Sequence, residues 1–144
     1  MKEEQQKELQ KKYMTMQIFK QQISALLEEK MALDNKINEV SMTIDAVKKM
    51  KEIKDSEEIW SSLGSGTYVR ADIKDIDHVT INIGSNLFMH KDTEEAIKIL
   101  ERRLSELKEV DEEMVSEINK FGDYVVNLES ELQKYVKDLE EEEK

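Results

Sequence analysis

Glu57-Glu58-Ile59-Trp60-Ser61-Ser62-Leu63-Gly64-Ser65-Gly66-Thr67-Tyr68-Val69-Arg70-Ala71-Asp72-Ile73, then Lys74-Asp75-Ile76-Asp77, then His78-Val79-Thr80-Ile81-Asn82-Ile83-Gly84-Ser85-Asn86-Leu87-Phe88-Met89-His90, is the stretch that decides the fold. It holds all but one of the four glycines. Val69, Ala71 and Ile73 alternate with Tyr68, Arg70, Asp72 and Lys74, and Val79, Ile81 and Ile83 alternate with His78, Thr80 and Asn82. A period of two carried by β-branched residues argues for strands. Gly64-Ser65-Gly66, Asp75-Ile76-Asp77 and Gly84-Ser85-Asn86 supply three turn signals. The expected arrangement is four strands in two hairpins, the first strand over Ile59 to Leu63 and the last over Leu87 to His90.

Two hairpins cannot enclose an apolar core by themselves, and their edges carry unpaired backbone donors and acceptors. The sheet either folds onto its own helices or pairs with the same segment of other chains. The flanking helices favour the second reading.

Working outward, residues 1–54 read as a first helix. Apolar side chains recur at Leu9, Met16, Phe19, Ile23, Leu26, Leu33, Ile37, Val40, Ile44 and Val47. From Met16 the steps alternate three and four, interrupted at Lys30, which is a heptad seam. At about 1.5 Å per residue the helix is about 75–80 Å long. Lys54-Asp55-Ser56 marks its expected end. A second helix spans 92–144, with Asp92-Thr93-Glu94-Glu95 as a capping box in which Asp92 accepts from the Glu95 N–H and Glu95 reaches back. Its seam runs Ile97, Leu100, Leu104, Leu107, Asp111, Met114, Ile118, Phe121, Val125, Leu128, Leu132, Tyr135, Leu139.

Two such seams joined by a short connector pair antiparallel. The register that levels the chain ends puts Val47 opposite Ile97, Ile23 opposite Phe121 and Met16 opposite Leu128. It also brings Lys30 and Asp111, the charged interruptions, into adjacent layers. They either pair and fix the register or direct their charges outward. Beyond Met16 the seams do not match: Leu132, Tyr135 and Leu139 face Lys12, Leu9 and Gln5. Tyr13, Met14, Met16, Ile18, Leu128, Leu132, Tyr135, Val136 and Leu139 are therefore candidates for contact with a partner, since unpartnered apolar surface marks interaction sites. The alternative is that lysine stems cover them and the last turns fray.

Composition narrows the function. The chain has 144 residues, a single-domain length, with charged and hydrophobic shares of 38% each, which suits coiled coil. Its formal net charge of -11 disfavours nucleic acid and anionic membranes as partners. It has no cysteine and no proline. No basic-then-apolar leader and no long apolar run is visible. His78 and His90 lack cysteine or helical His-Glu company and read as surface residues, not a metal site. Gly64-Ser65-Gly66 precedes no helix and is no phosphate loop. Trp60 reads as a packing residue of the sheet and Glu140-Glu141-Glu142-Glu143 as a solvated end. Neither a catalytic residue nor a cofactor or metal site is expected, so the chain is read as no enzyme.

Coil, two hairpins, coil resembles an α-class prefoldin subunit of the archaeal type. The resemblance is carried by Leu63-Gly64-Ser65-Gly66-Thr67-Tyr68-Val69-Arg70-Ala71, Val79-Thr80-Ile81-Asn82-Ile83-Gly84 and Lys91-Asp92-Thr93-Glu94-Glu95-Ala96-Ile97. Family members often have proline just before Leu63-Gly64, where this chain has Ser61-Ser62. The resemblance implies one prefoldin-like α+β domain, mainly α. In it a long antiparallel coiled coil of N- and C-terminal helices is joined by two β-hairpins (57–91) that form an oligomeric β-barrel. It implies an ATP-independent cytoplasmic chaperone, a hexamer of two α-class and four β-class subunits. The coil tips hold unfolded client proteins and pass them to a group II chaperonin. The barrel interior, made with other chains, is expected to take Val69, Ala71, Ile73, Val79, Ile81 and Ile83. The alternative is a structural coiled-coil or filament-forming protein assembled through the same β segment.

Overall fold

The computed structural model describes the backbone of residues 2–53 and 58–142, and the side chains of 6–53 and 58–138. The order is α1 (Lys2–Met50), β1 (Glu58–Gly64), β2 (Thr67–Asp72), β3 (His78–Gly84), β4 (Leu87–Asp92) and α2 (Thr93–Glu142). Two long helices thus flank two small antiparallel hairpins. After Met50, α1 tightens into turns with Glu52 N–H bonded to the Lys49 carbonyl at 3.0 Å and Ile53 N–H to Met50 at 3.2 Å. That is the i to i+3 pattern of a helix ending. The expected end at Lys54-Asp55-Ser56 lies outside the described residues.

Lys36–Leu107 form one compact unit, and Met1–Asn35 with Lys108–Lys144 form another. In the first, which holds both hairpins, the core is Val40, Ile44, Val47, Ile81, Ala96 and Leu100, with Val79, Ile97, Ile99, Leu104 and Leu107 packed against it. Each such aliphatic side chain, when fully buried, stabilises by about 1.5–3 kcal/mol. Val47, from α1, belongs to this core, and Ile97, its expected partner on α2, packs against it. Lys48–Glu101 (2.9 Å) and Lys51–Glu94 (2.8 Å) bridge the helices at its exposed edge.

The second unit is a pair of antiparallel helix segments. Every described position of the expected α2 seam here, from Asp111 to Tyr135, is half-buried or buried. Lys30 and Asp111 do pair: Lys30 Nζ donates to Asp111 Oδ1 at 2.7 Å and to Asp34 Oδ1 at 2.8 Å. The bond to Asp111, then that to Asp34, holds the lysine above its ordinary pKa. Phe19 stacks on Phe121 and on Tyr124, each at 5.4 Å between ring centres.

The hairpins are two copies of one device, each a separate two-stranded sheet. β3 and β4 begin twenty positions after β1 and β2. In both, the register slips next to the turn, between Ser62 and Gly64 and between Asn82 and Gly84. The turn residues have positive φ: Ser65 49° and Gly66 74°, Ser85 48° and Asn86 57°. Two successive positive values make a type I′ turn, whose twist matches the strands. Gly64 (φ 93°) and Gly84 (φ 126°) take the left-handed bulge position that side chains resist. The Gly64 N–H donates to Ser62 Oγ at 3.2 Å, and the Gly84 N–H to Asn82 Oδ1 at 2.8 Å.

Three details differ from expectation. β2 ends at Asp72, so Ile73 lies beyond the ladder. β1 and β4 are longer than expected, the latter running to Asp92. The capping carboxylates are engaged elsewhere: Asp92 Oδ1 lies 3.2 Å from His78 Nε2, and Glu95 pairs with Lys91 at 3.0 Å. The start of α2 is fixed by its backbone instead, the Thr93 N–H donating to the Asp77 carbonyl at 2.8 Å, with Thr93 buried.

Candidate functional site

In the paired-helix unit, Leu9, Gln10, Tyr13 and Met16 of α1 and Glu129, Leu132, Gln133, Val136 and Lys137 of α2 line a groove of about 870 Å³. Helical spacing puts Leu9, Tyr13 and Met16 on one stripe, and Leu132 and Val136 one turn apart on the other. Met16 forms the floor at 6% exposure, while Tyr13 (54%) and Val136 (48%) form open walls. The structure therefore gathers four expected residues, Tyr13, Met16, Leu132 and Val136, and adds Leu9, an apolar position of the first helix outside the expected contact set.

The other expected residues are placed differently. Tyr135 lies under Lys12, whose Nζ is 5.8 Å from the ring centre and 2.9 Å from Glu131. The bond to Glu131, the largest cause, holds Lys12 above the usual lysine pKa. A lysine does cover an aromatic ring here, while Tyr13 and Val136 of the groove stay exposed among the described side chains. Met14 and Ile18 are exposed without lining the groove, and Leu128 is half-buried in the seam. The side chain of Leu139 lies outside the described residues.

The hairpins present a second candidate surface. Strand pairing puts Ser62 opposite Tyr68 and Trp60 opposite Arg70 on one face of the first hairpin, and Asn82 opposite Phe88 on one face of the second. Trp60, Leu63, Tyr68, Leu87 and Phe88 are each 58–68% exposed. The Arg70 guanidinium sits 5.4 Å from the Trp60 ring and bonds Glu58 at 3.1 Å, covering only part of the indole. Of the six expected interface residues, Val69 and Ile83 are exposed and Ala71 and Ile73 half-buried. Ile81 and Val79 sit in the chain's own core. The aromatic face escaped the sequence reading because alternation marks one face as apolar and leaves the other to be taken as polar. The bulky Trp60, Tyr68 and Phe88 at the supposedly polar positions were the available signal.

Two long helices flanking two small antiparallel hairpins, with an apolar groove between the paired helix segments, define a class: a mainly helical coiled-coil chain with a β connector. The family model described as prefoldin subunit matches residues 19–138. The chain is 31% identical to prefoldin subunit alpha of Methanococcus vannielii over 94% of its own length and 90% of the relative's. It is 34% identical to that of Thermofilum pendens over 65% and 73% respectively, and 28% identical to that of Archaeoglobus fulgidus over 88% and 92%. The chain belongs to the prefoldin family, and its relatives are α subunits. A solved structure of filamentous PFD from Methanocaldococcus jannaschii shares the fold with a TM-score of 0.71, at 21% identity over 83% of this chain and 98% of that one. Family membership implies a chaperone role. No described helix is long and apolar enough to cross a membrane.

Proposed function

We propose that the chain is the α-class subunit of an ATP-independent holding chaperone of the cytoplasm. It assembles with β-class subunits, two α to four β, and hands non-native proteins to a group II chaperonin. The observation that carries this reading is the open apolar groove of Leu9, Tyr13, Met16, Leu132 and Val136. The client surface takes in this groove with Met14, Ile18, Leu128, Tyr135 and Leu139 around it. One apolar side chain fully buried against a client stabilises by about 1.5–3 kcal/mol, so a single groove holds loosely. Several grooves on one assembly multiply affinity by about 10²–10⁴. Weak, plural contacts let go without nucleotide hydrolysis.

The assembly surface takes in both faces of the first hairpin, Val69 and Ala71 on one and Trp60 and Tyr68 on the other, together with Ile73, Ile83 and Phe88. Val79 and Ile81 brace it from within. A second reading, an open filament, is supported by the free edges of both two-stranded sheets, which serve a closed ring or an open polymer equally. The test reconstitutes the chain with a β-class prefoldin subunit and measures mass under native conditions. The same assembly is then made with Tyr13→Ser and Val136→Ser together. A closed hexamer that loses most of its suppression of aggregation supports the chaperone reading. Undiminished holding moves the client site off the groove, and a polydisperse mass ladder favours the filament.

A further inference from the structure

The two histidines, on different strands, meet at the junction of the hairpins. Their rings stack with centres 5.0 Å apart and planes 15° from parallel. Asp75, in the linker before β3, turns back on itself: its Oδ1 accepts the N–H groups of Asp77 (3.0 Å) and His78 (3.1 Å). That turn aims the Asp75 carboxylate at His78 Nδ1, 3.1 Å from Oδ2. One ligand atom each from Asp75, His78 and His90 lies within 4.8 Å of the others. On the far side of the His78 ring, Nε2 is 3.2 Å from Asp92 Oδ1.

We propose that Asp75, His78 and His90 form a binding site for a divalent transition cation of the zinc, cobalt or nickel type, with Asp92 supporting His78 from its other nitrogen. Two imidazoles and one carboxylate select borderline cations over magnesium or calcium, which take all-oxygen sets. The Asp75 to His78 separation of 3.1 Å is close to the ~3.3 Å ligand edge of a tetrahedron with ~2.0–2.1 Å bonds. A cation can replace the proton that the two groups share, with the imidazoles turning their lone pairs toward it and the three ligand atoms, which lie within 4.8 Å of one another, drawing in to that edge. Asp92 then accepts from His78 Nε2–H, the carboxylate–histidine–metal arrangement that orients a ligand ring. Three protein ligands leave the fourth position to water, as the exposure of the site allows. A bound cation ties the Asp75-Ile76-Asp77 linker to both strands of the second hairpin, and so steadies the angle at which the first hairpin leaves it.

The experiment titrates cobalt(II) chloride into the full-length, untagged chain after chelator dialysis, reading visible absorption and equilibrium binding. One ion per chain with the intense spectrum of tetrahedral cobalt is expected, displaced by zinc. His90→Gln should abolish that spectrum, and Asp92→Asn should weaken binding about 10–100-fold. Binding should weaken as pH falls, because protons compete for the ligands. Circular dichroism checks that the variants fold. For the wild type alone, paramagnetic broadening of imidazole proton resonances gives an independent readout. Broadening of both His78 and His90 supports the site. A pale octahedral spectrum unchanged in His90→Gln, or broadening that spares the histidines, overturns it.

Discussion

The two hairpins share their length, register slip and turn, yet they are held differently. The second is fixed to the helices. Its Ile81 is 8% exposed in the core with Val40, Ile44 and Leu100. Its Asn82 carbonyl accepts from Arg103 Nη2 at 2.8 Å, and the Asp77 carbonyl just before it accepts from Thr93. In the first, the positions matching Ile81 and Ile83 are Ser61 and Leu63; Leu63 is 68% exposed, and Val69, which pairs with Ser61, 43%. The same backbone device thus serves one hairpin anchored in the chain's own core through Ile81 and one with no described residue in that core. The serine at position 61 is the sharpest sequence mark of that division.

The largest expected effect separates the two roles. Ile81→Asp places an unpaired carboxylate in the core and should unfold the hairpin unit at neutral pH. Ile81→Ala should cost about 2–5 kcal/mol. Val69→Asp, on the open hairpin, should leave chain stability within about 0.5 kcal/mol while reducing assembly with a β-class subunit. Chemical denaturation and native mass measurement together check this. Equal loss of stability from Ile81→Ala and Val69→Asp would erase the distinction between the hairpins.

Next comes the shared turn. Gly64→Ala and Gly84→Ala each meet open space, so only backbone strain opposes them. A side chain in the left-handed region costs about 1–2 kcal/mol. The local cost should be the same in both. Only Gly84→Ala should lower the stability of the whole unit, because only its hairpin is coupled to the core. Hydrogen exchange of the β1–β2 and β3–β4 amides reads the two costs separately, and global destabilisation by Gly64→Ala would show the first hairpin to be coupled as well.

The seams were legible because a repeat of three and four states both the partner face and its period; register brings Lys30 and Asp111 into adjacent layers, and the structure shows that they pair. The hairpins were legible from alternation and glycine. What lay against each sheet face was not, because alternation says which residues share a face and nothing of what covers it. Hence alternation points Ile81 and Val79 toward other chains, whereas the structure places Ile81 in the core with Val40 and Leu100 and Val79 against that core. Ala96 and Thr93 went unmarked because small or polar residues carry no hydrophobic signal, although close helix–sheet packing buries both. The capping box failed for a competitive reason. His78, remote in sequence, reaches Asp92 only once β3 and β4 pair. In the groove, mismatch of seams marks one end of the helices, but only side-chain placement shows that Lys12 covers Tyr135 and leaves Tyr13 open.

The smallest expected effect is a pH dependence confined to the second hairpin. His78 faces Asp75 and Asp77 from the linker and His90 and Asp92 from β4, the carboxylates outnumbering its histidine neighbour. The hydrogen bond that His78 donates to Asp75, the largest cause, raises the His78 pKa above 6.5, and the same bond lowers Asp75 below 3.8. A histidine whose pKa is raised on folding stabilises fully below its unfolded value, and that contribution fades as pH rises through the native value. A carboxylate with a lowered pKa stabilises above its unfolded value and loses that contribution as pH falls through the native one. The pair is therefore most stabilising in mildly acidic solution, between about 4 and 6.5. Solvent exposure keeps the effect small. In metal-free buffer, amide exchange around His78 and His90 should quicken between pH 6 and 8 beyond the intrinsic rate, while β1–β2 follows the intrinsic rate alone. His78→Gln should remove the difference. A matching excess in both hairpins would mean that the linker transmits the titration to the first hairpin, and that the two are less independent than their packing implies.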